Sequence, residues 1–332
     1  MSTGSLPLSG RTAWVITDGT AGMHIQGRGI AEALRTDYQD KRVAPRGLWR
    51  LLAPWGPPDP REGVGRPGST FSPPWPDVAI ATGRQSIPVL RAIRKASPRT
   101  FTVIIQDPRT GPGSADLIAV PEHDRLAGSN VIRTLTAPHV FPPERLARLR
   151  ETIPPKIAAL PAPRACVILG GPNAAYRFTA EARQRLVRAL RSLAGHVGGL
   201  LITGSRRTPD SLLRAVEEGT RDVPRLLWDG TGENPYPHFL AHGDVFVVTA
   251  DSVNMTGEAC ATGRPVYVFE PDGGSAKFAR FHEALRRYGA TKAMPETFAH
   301  LEEWSYVPLD SAAQIAREIE RRWVAARSSG KA

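Results

Sequence analysis

The chain has 332 residues, more than one hydrophobic core comfortably serves and enough for two domains. Hydrophobic residues make up 41% and charged residues 23%, which excludes a disordered chain, and the apolar runs fall far short of the roughly 20 residues a membrane span needs. Against 32 Asp and Glu stand 43 Lys and Arg, a formal net charge of +11, which calls for an anionic partner: a phosphorylated small molecule, an anionic membrane face or nucleic acid.

Along the first half, Ala13–Thr17 (AWVIT) reads as a short buried strand. It leads through Asp18-Gly19-Thr20-Ala21-Gly22 into a helical stretch at Ile25–Arg35. Next comes RGLWRLLAPW at 46–55, where Trp49, Trp55 and three leucines mix with Arg46 and Arg50. It reads either as an interfacial segment for a membrane surface or as a buried helix. In Pro54–Pro76, eight prolines and four glycines fill 12 of 23 positions, which predicts a mobile surface loop. Asp77–Ala81, Phe101–Gln106 and Asp116–Val120 are continuous Val/Ile-rich runs, the pattern of parallel strands buried on both faces, with a helix at Gln85–Lys95. Residues 1–150 are expected to form one domain.

Four prolines in residues 151–164 predict a linker. The alternation then starts afresh over residues 165–310: strands at Ala165–Leu169, Gly199–Thr203, Arg225–Trp228, Asp244–Thr249 and Pro265–Phe269, and helices at Thr179–Ala194, Pro209–Glu218, Asn254–Thr262 and Ser275–Tyr288. A last helix, Ser311–Arg327, opens the C-terminal segment 311–332. The fold class is α/β: two doubly wound Rossmann-like domains facing across a cleft, with chemistry in the loops just after strands.

Four such loops in the second half share one design. LGGPNAAY carries Gly170, Gly171 and Asn173, and TGSRRTPD carries Thr203, Gly204, Ser205 and Arg206. TADSVNMTGEACATGRPVYVF runs strand, polar turn, helix, strand, with Ser252, Asn254 and Met255 at the helix start and Glu258 a turn further on. FEPDGGSAKF adds Gly273, Gly274 and Lys277. Glycines let backbone approach a phosphate, helix N-termini favour anions, and a carboxylate at Glu258 suits two ribose hydroxyls. Each loop alone is equally an N-cap or a turn; together they point to a nucleoside diphosphate.

The segment Thr249–Phe269 resembles the donor-binding signature of GT-B glycosyltransferases, and is most similar to the transferase that adds N-acetylglucosamine to a lipid-linked muramyl-pentapeptide. Taken with TDGTAGMHIQGRGIAEAL, IQDPR and DLIAVPEHD, it also resembles the mitochondrial-fission "elongated mitochondria" family across nearly the whole chain. That resemblance implies a GT-B-like fold and a nucleoside-diphosphate-sugar partner. For the family's plant members it implies a role in recruiting fission machinery, so a non-catalytic scaffold at a membrane surface is the alternative to an enzyme. One departure stands out: where relatives commonly carry a polar pair ahead of Gln26, this chain has Met23, His24 and Ile25.

In the GT-B layout Asp18, Gly19, Gly22, Gln26 and Arg109 border the reaction centre. His24, Asp107 and Asp124 are the candidate general bases, His24 because an imidazole titrates near neutrality; His123 reads equally as a structural ion-pair member. No metal or other cofactor is expected, since no Asp-x-Asp occurs and helix dipoles with basic side chains can stabilise a leaving diphosphate. The G-x-G-x-x-G of dinucleotide enzymes is absent too. Nucleic acid is not expected, because aromatic residues do not interleave the basic ones. The partner expected is a nucleoside-diphosphate sugar, with an anionic membrane surface or a lipid-linked acceptor. Two cysteines, Cys166 and Cys260, fit a cytoplasmic setting, peripheral to a membrane.

Overall fold

Continuous apolar runs become the centres of two parallel sheets. The computed structural model describes residues 7–122 and 124–328. The chain divides into two units, Met1–Val140 with Asp310–Ala332, and Phe141–Leu309.

The first unit runs β1 (Thr12–Thr17), α1 (Ala21–Ala33), β2 (Asp37–Arg42), α2 (Gly47–Leu52), β3 (Val78–Thr82), α3 (Ile87–Ala96), β4 (Phe101–Ile105), β5 (Leu117–Pro121) and β6 (Val131–Thr134). Its sheet order is β2-β1-β3-β4-β5-β6, with every pair parallel. β3 and β4 are buried throughout, as strands covered on both faces must be. Edge strand β2, DYQDKR, is largely exposed; only its pairing with β1 makes it a strand. Helix α1 lies very close to the sheet, because a Cβ on Gly27 would stand 2.6 Å from Val15 Cγ1.

The Pro/Gly loop expected to be mobile is pinned. Phe71 is fully buried, edge-on to Trp14 at 6.3 Å, and Trp75 tilts onto Trp14 at 5.8 Å. Buried Asp59 accepts the N–H groups of Arg46 and Arg61. Two aromatic anchors outweigh the conformational entropy that proline and glycine composition suggested.

The second unit runs α4 (Pro143–Arg150), α5 (Pro155–Ala158), β7 (Arg164–Leu169), β8 (Tyr176–Arg177), α6 (Ala180–Ala194), β9 (Gly199–Gly204), α7 (Asp210–Gly219), β10 (Arg225–Leu227), α8 (Tyr236–His242), β11 (Val245–Thr249), α9 (Val253–Cys260), β12 (Val266–Phe269), β13 (Asp272–Gly273), α10 (Ala276–Tyr288) and β14 (Thr291–Ala293). The sheet order β10-β9-β7-β11-β12-β14 is 3-2-1-4-5-6 in the unit's own count, the dinucleotide-fold order. β8 and β13 form a small antiparallel pair. This unit begins at 141 and not at 165: α4 lies at the end of the stretch assigned to the first domain and α5 where the linker was expected, Ile157 is buried, and Arg150 Nε donates to the Ala241 carbonyl at 2.9 Å.

Helix α11 (Ser311–Ser328) returns to the first unit. Its stripe of Ala312, Ile315, Ala316, Ile319 and Trp323, at the i, i+3, i+4 spacing of a helix face, joins Ile30, Leu34 and Val103 in one core. The Thr136 and Ser311 hydroxyls bond at 2.7 Å. Ile319→Ala is therefore expected to destabilise the first unit by about 2–5 kcal/mol, read as a fall in its urea-unfolding midpoint.

Candidate functional site

In the second unit the strand order reverses between β7 and β11, so the crevice beyond their carboxyl ends is where a ligand sits in such sheets. The loops after β7, β9, β11 and β12 all lie on this edge, and the side chain that ties three of them is Asp251. Its carboxyl is fully shielded from solvent. It accepts from Gly171 N–H at 2.9 Å, Thr249 Oγ1 at 2.7 Å and Arg207 Nη2 at 3.1 Å. Burial pushes its pKa up, while the bonds from Thr249 and Gly171 and the charge of Arg207 pull it down. Gly170 N–H donates to Thr249 Oγ1 at 2.8 Å.

The two glycines serve this self-packing. A Cβ on Gly170 would lie 2.2 Å from Asp251 Oδ2, and one on Gly171 1.9 Å from the Arg207 carbonyl oxygen. The main-chain amides expected to meet a diphosphate are thus already bonded to the chain itself. Asn173 is likewise a brace: its Oδ1 accepts from the N–H groups of Ala175 and Tyr176 and its Nδ2 donates to the Asp251 carbonyl. Thr203 is buried at the end of β9, and beyond Gly204 the Ser205 Oγ accepts from Arg207 N–H at 3.2 Å. Arg206 is exposed at the loop's tip. Sequence reasoning named only Arg206 of the two loop arginines as a site residue and did not single out Asp251, whose one signal is an acid two residues past β11 and just before the Ser252 cap.

What stays accessible is the first turn of α9 and the start of α10. Ser252 Oγ accepts from Met255 N–H at 3.4 Å, and Asn254 and Met255 are half-buried. The helix dipole gives this turn a positive end. Gly273 takes φ +104°, and its missing Cβ lets the Ala175 carbonyl approach. Ser275 caps α10, Lys277 is exposed, and His282 Nε2 donates to the Ala250 carbonyl at 2.8 Å, joining α10 to the turn after β11.

Glu258 is 5% exposed and accepts the Tyr236 hydroxyl of α8 at 2.5 Å. Burial raises its pKa to about 7, against the lowering effect of the Tyr236 bond. Tyr236 is itself raised, first by burial and then by Glu258, and Phe141 lies edge-on to its ring at 5.8 Å. The carboxyl expected to face a ribose is closed under a phenol that the sequence did not single out.

In the first unit the reversal lies between β1 and β3. Helix α1 starts at Ala21, so Gly22 and His24, expected ahead of the helix, lie within it together with Gln26. Asp18 Oδ1 accepts from Thr20 N–H at 3.0 Å, and Gly19 takes φ +87°. His24 Nε2 meets Asp40 Oδ1 of β2 at 2.7 Å, and Gln26 is buried on the face toward the sheet. Met23 accepts from Gln106 Nε2 at 3.6 Å. Gln106 and Arg109 hold φ of +79° and +59°, a strained pair of the kind that clusters at functional sites. Asp107 Oδ1 fixes the turn through Arg109 N–H at 2.8 Å. Residues 83–84 and 105–109 line a cavity of about 320 Å³. Asp124 follows β5. Three strands separate β2, which carries Asp40, from β5, beyond which Asp124 lies. His123 lies outside the described residues. Among the described residues no group of three or more His, Cys, Asp and Glu is placed to hold a metal ion.

The family model of mitochondrial fission ELM1 matches residues 21–323. The chain belongs to that family. It is 34% identical over 281 residues to the mitochondrial fission protein ELM1 of Arabidopsis thaliana, covering 77% of this chain and 66% of that one. It is 29% identical over 160 residues to an uncharacterized protein of Rickettsia prowazekii, 46% of this chain and 45% of that one. The matches thus span just under two thirds and just under half of these relatives. Among solved structures, MurG of Acinetobacter baumannii superposes with a TM-score of 0.50 at 14% identity, covering 96% of this chain and 95% of that one. UDP-GlcNAc 2-epimerase of Methanocaldococcus jannaschii does so at 0.54 and 11%, over 93% and 99%. The Neisseria meningitidis epimerase, described as bound to UDP-GlcNAc, gives 0.51 and 11%, over 95% and 100%. The fold of this ELM1-family chain is therefore GT-B-like, and UDP-GlcNAc 2-epimerases share it.

A carboxyl raised from 4.5 to about 7 favours folding fully below pH 4.5 and loses that contribution as pH rises through 7. Glu258→Gln is expected to remove this slope. Melting curves from pH 4.5 to 8 should show the wild type losing stability relative to the variant up to about pH 7 and holding a constant difference above it.

Proposed function

We propose that the second unit binds a nucleoside-diphosphate sugar and that the protein is a GT-B-type glycosyltransferase acting on a lipid-linked acceptor. The observation that carries this reading is the gathering of four polar, glycine-bearing loops on one carboxyl edge of a 3-2-1-4-5-6 sheet, with the positive end of α9 among them. The diphosphate would meet the first turn of α9 and the arginines of the β9 loop, Arg206 and Arg207. Those charges suit a leaving diphosphate without a metal. Glu258 would turn from Tyr236 to the ribose. A neighbour of this fold described as bound to UDP-GlcNAc makes a uridine-diphosphate sugar the first donor to try.

In the transfer, an acceptor oxygen forms a bond to the sugar's anomeric carbon, the bond to the diphosphate breaks, and the acceptor proton passes to a base. Of the candidate bases in the first unit, Asp107 borders a cavity and His24 is engaged by Asp40.

One observation favours a second reading, a scaffold that keeps the donor fold without catalysis: Asp251 already holds the Gly171 amide that a phosphate would use. Thermal melts with millimolar UDP, UDP-GlcNAc and other nucleoside diphosphates and their sugars separate the two. Ligand at about 100 times its Kd stabilises by about 2.7 kcal/mol, which raises the melting temperature measurably. Glu258→Ala is expected to abolish the shift, with UDP release measured in parallel on lipid-linked acceptors. No shift with any nucleotide would leave the scaffold.

A further inference from the structure

Helix α2 carries its apolar stripe on the wrong side for a core. Leu48, Leu51 and Leu52 follow the i, i+3, i+4 spacing of one helix face, and they are 63%, 73% and 39% exposed, with Trp55 just beyond at 58%. The opposite side faces inward: Ala53 is buried, and Trp49 lines a small crevice with Pro45, Pro57 and Pro88. A helix that merely filled space would bury the leucines, so these four side chains form an apolar patch in water.

The surroundings of the patch are basic. Arg46 and Arg50 flank it on α2, and both are exposed. Arg84 Nη2 donates to the Arg50 carbonyl at 3.4 Å, and Arg91 Nη1 donates to the carbonyls of Pro54 and Trp55. Trp55 Nε1 donates to the Arg109 carbonyl at 3.2 Å, and Arg109 is exposed. The acids nearby are engaged by backbone: Asp59 with the N–H groups of Arg46 and Arg61, Glu62 with Ala44 N–H, Asp107 with Arg109 N–H. The segment is held in place from below by Asp59, so the leucines are presented on a fixed support.

We propose that this face docks the first unit on an anionic lipid bilayer, with Leu48, Leu51, Leu52 and Trp55 entering the interface and the arginines meeting lipid phosphates. Apolar side chains ringed by arginine match a headgroup layer, where hydrocarbon lies just beneath negative charge. A protein partner of apolar surface would gain nothing from the exposed cations Arg46, Arg50 and Arg84. The inference rests on the first unit alone and stands whether or not the second binds a nucleotide sugar.

The test is flotation of the full chain with vesicles of phosphatidylcholine alone and with 30% phosphatidylglycerol, at low and at high salt, a composition of about one charged lipid in three being enough to attract a basic patch. The chain is expected to float with the anionic vesicles and to be released by salt. Leu48→Asp with Leu51→Asp is expected to cut partitioning by roughly tenfold or more. Arg46→Glu with Arg50→Glu should do the same at low salt only. Both pairs are exposed, so melting temperature and any nucleotide-induced shift should be unchanged. Equal flotation of the leucine variant, or absence of wild-type flotation, overturns the proposal. So does a wild-type dimer in light scattering that the leucine variant dissolves, since a second copy would then be the occupant.

Discussion

One buried carboxylate organises the C-terminal edge of the second sheet. Asp251 collects an amide from the turn after β7, a hydroxyl from the end of β11 and a guanidinium from the loop after β9. A charge this deep is tolerable only when fully bonded, so each of those three segments is held to one geometry relative to the others. The absence of a side chain at Gly170 and Gly171 lets the main chain come close enough for this. The result is an edge whose framework is preformed, with the ends of α9 and α10 left on top of it.

Much of the architecture was legible because parallel strands covered on both faces are written as unbroken Val/Ile runs: β3, β4, β7 and β11 fall within a residue or two of expectation. Two of the edge strands, β2 and β14, carry no such signature. DYQDKR is polar because β2 has one neighbour and an open face, and β14, TKA, is short for the same reason. The Pro/Gly loop misled because composition measures the freedom of a chain, whereas Phe71 and Trp75 decide what the folded state does with it.

The site was less legible than the fold. Residue types at strand ends were identified, yet their bonding depends on partners far away in sequence. Glu258 and Tyr236 are 22 residues apart, on α9 and α8, and His24 meets Asp40 across a strand. Gly19-Thr20-Ala21-Gly22 looks like a turn, but the helix starts inside it, which rotates His24 toward β2. Asn173 and Ser205 have the chemistry of ligand contacts and use it to shape their own turns. Polar residues in glycine-rich loops compete for their own backbone first, and spacing alone does not reveal which of them have been claimed.

Helix α11 gives the molecule a particular order of assembly. The hydrophobic layer beneath α1 is incomplete until Ile315, Ile319 and Trp323 arrive, and these emerge from the ribosome only after all of Phe141–Leu309. The second unit is contiguous in sequence and has everything it needs once Leu309 is made. During vectorial synthesis the first of the two units to begin is therefore the later to finish, and its half-built apolar surface awaits α11.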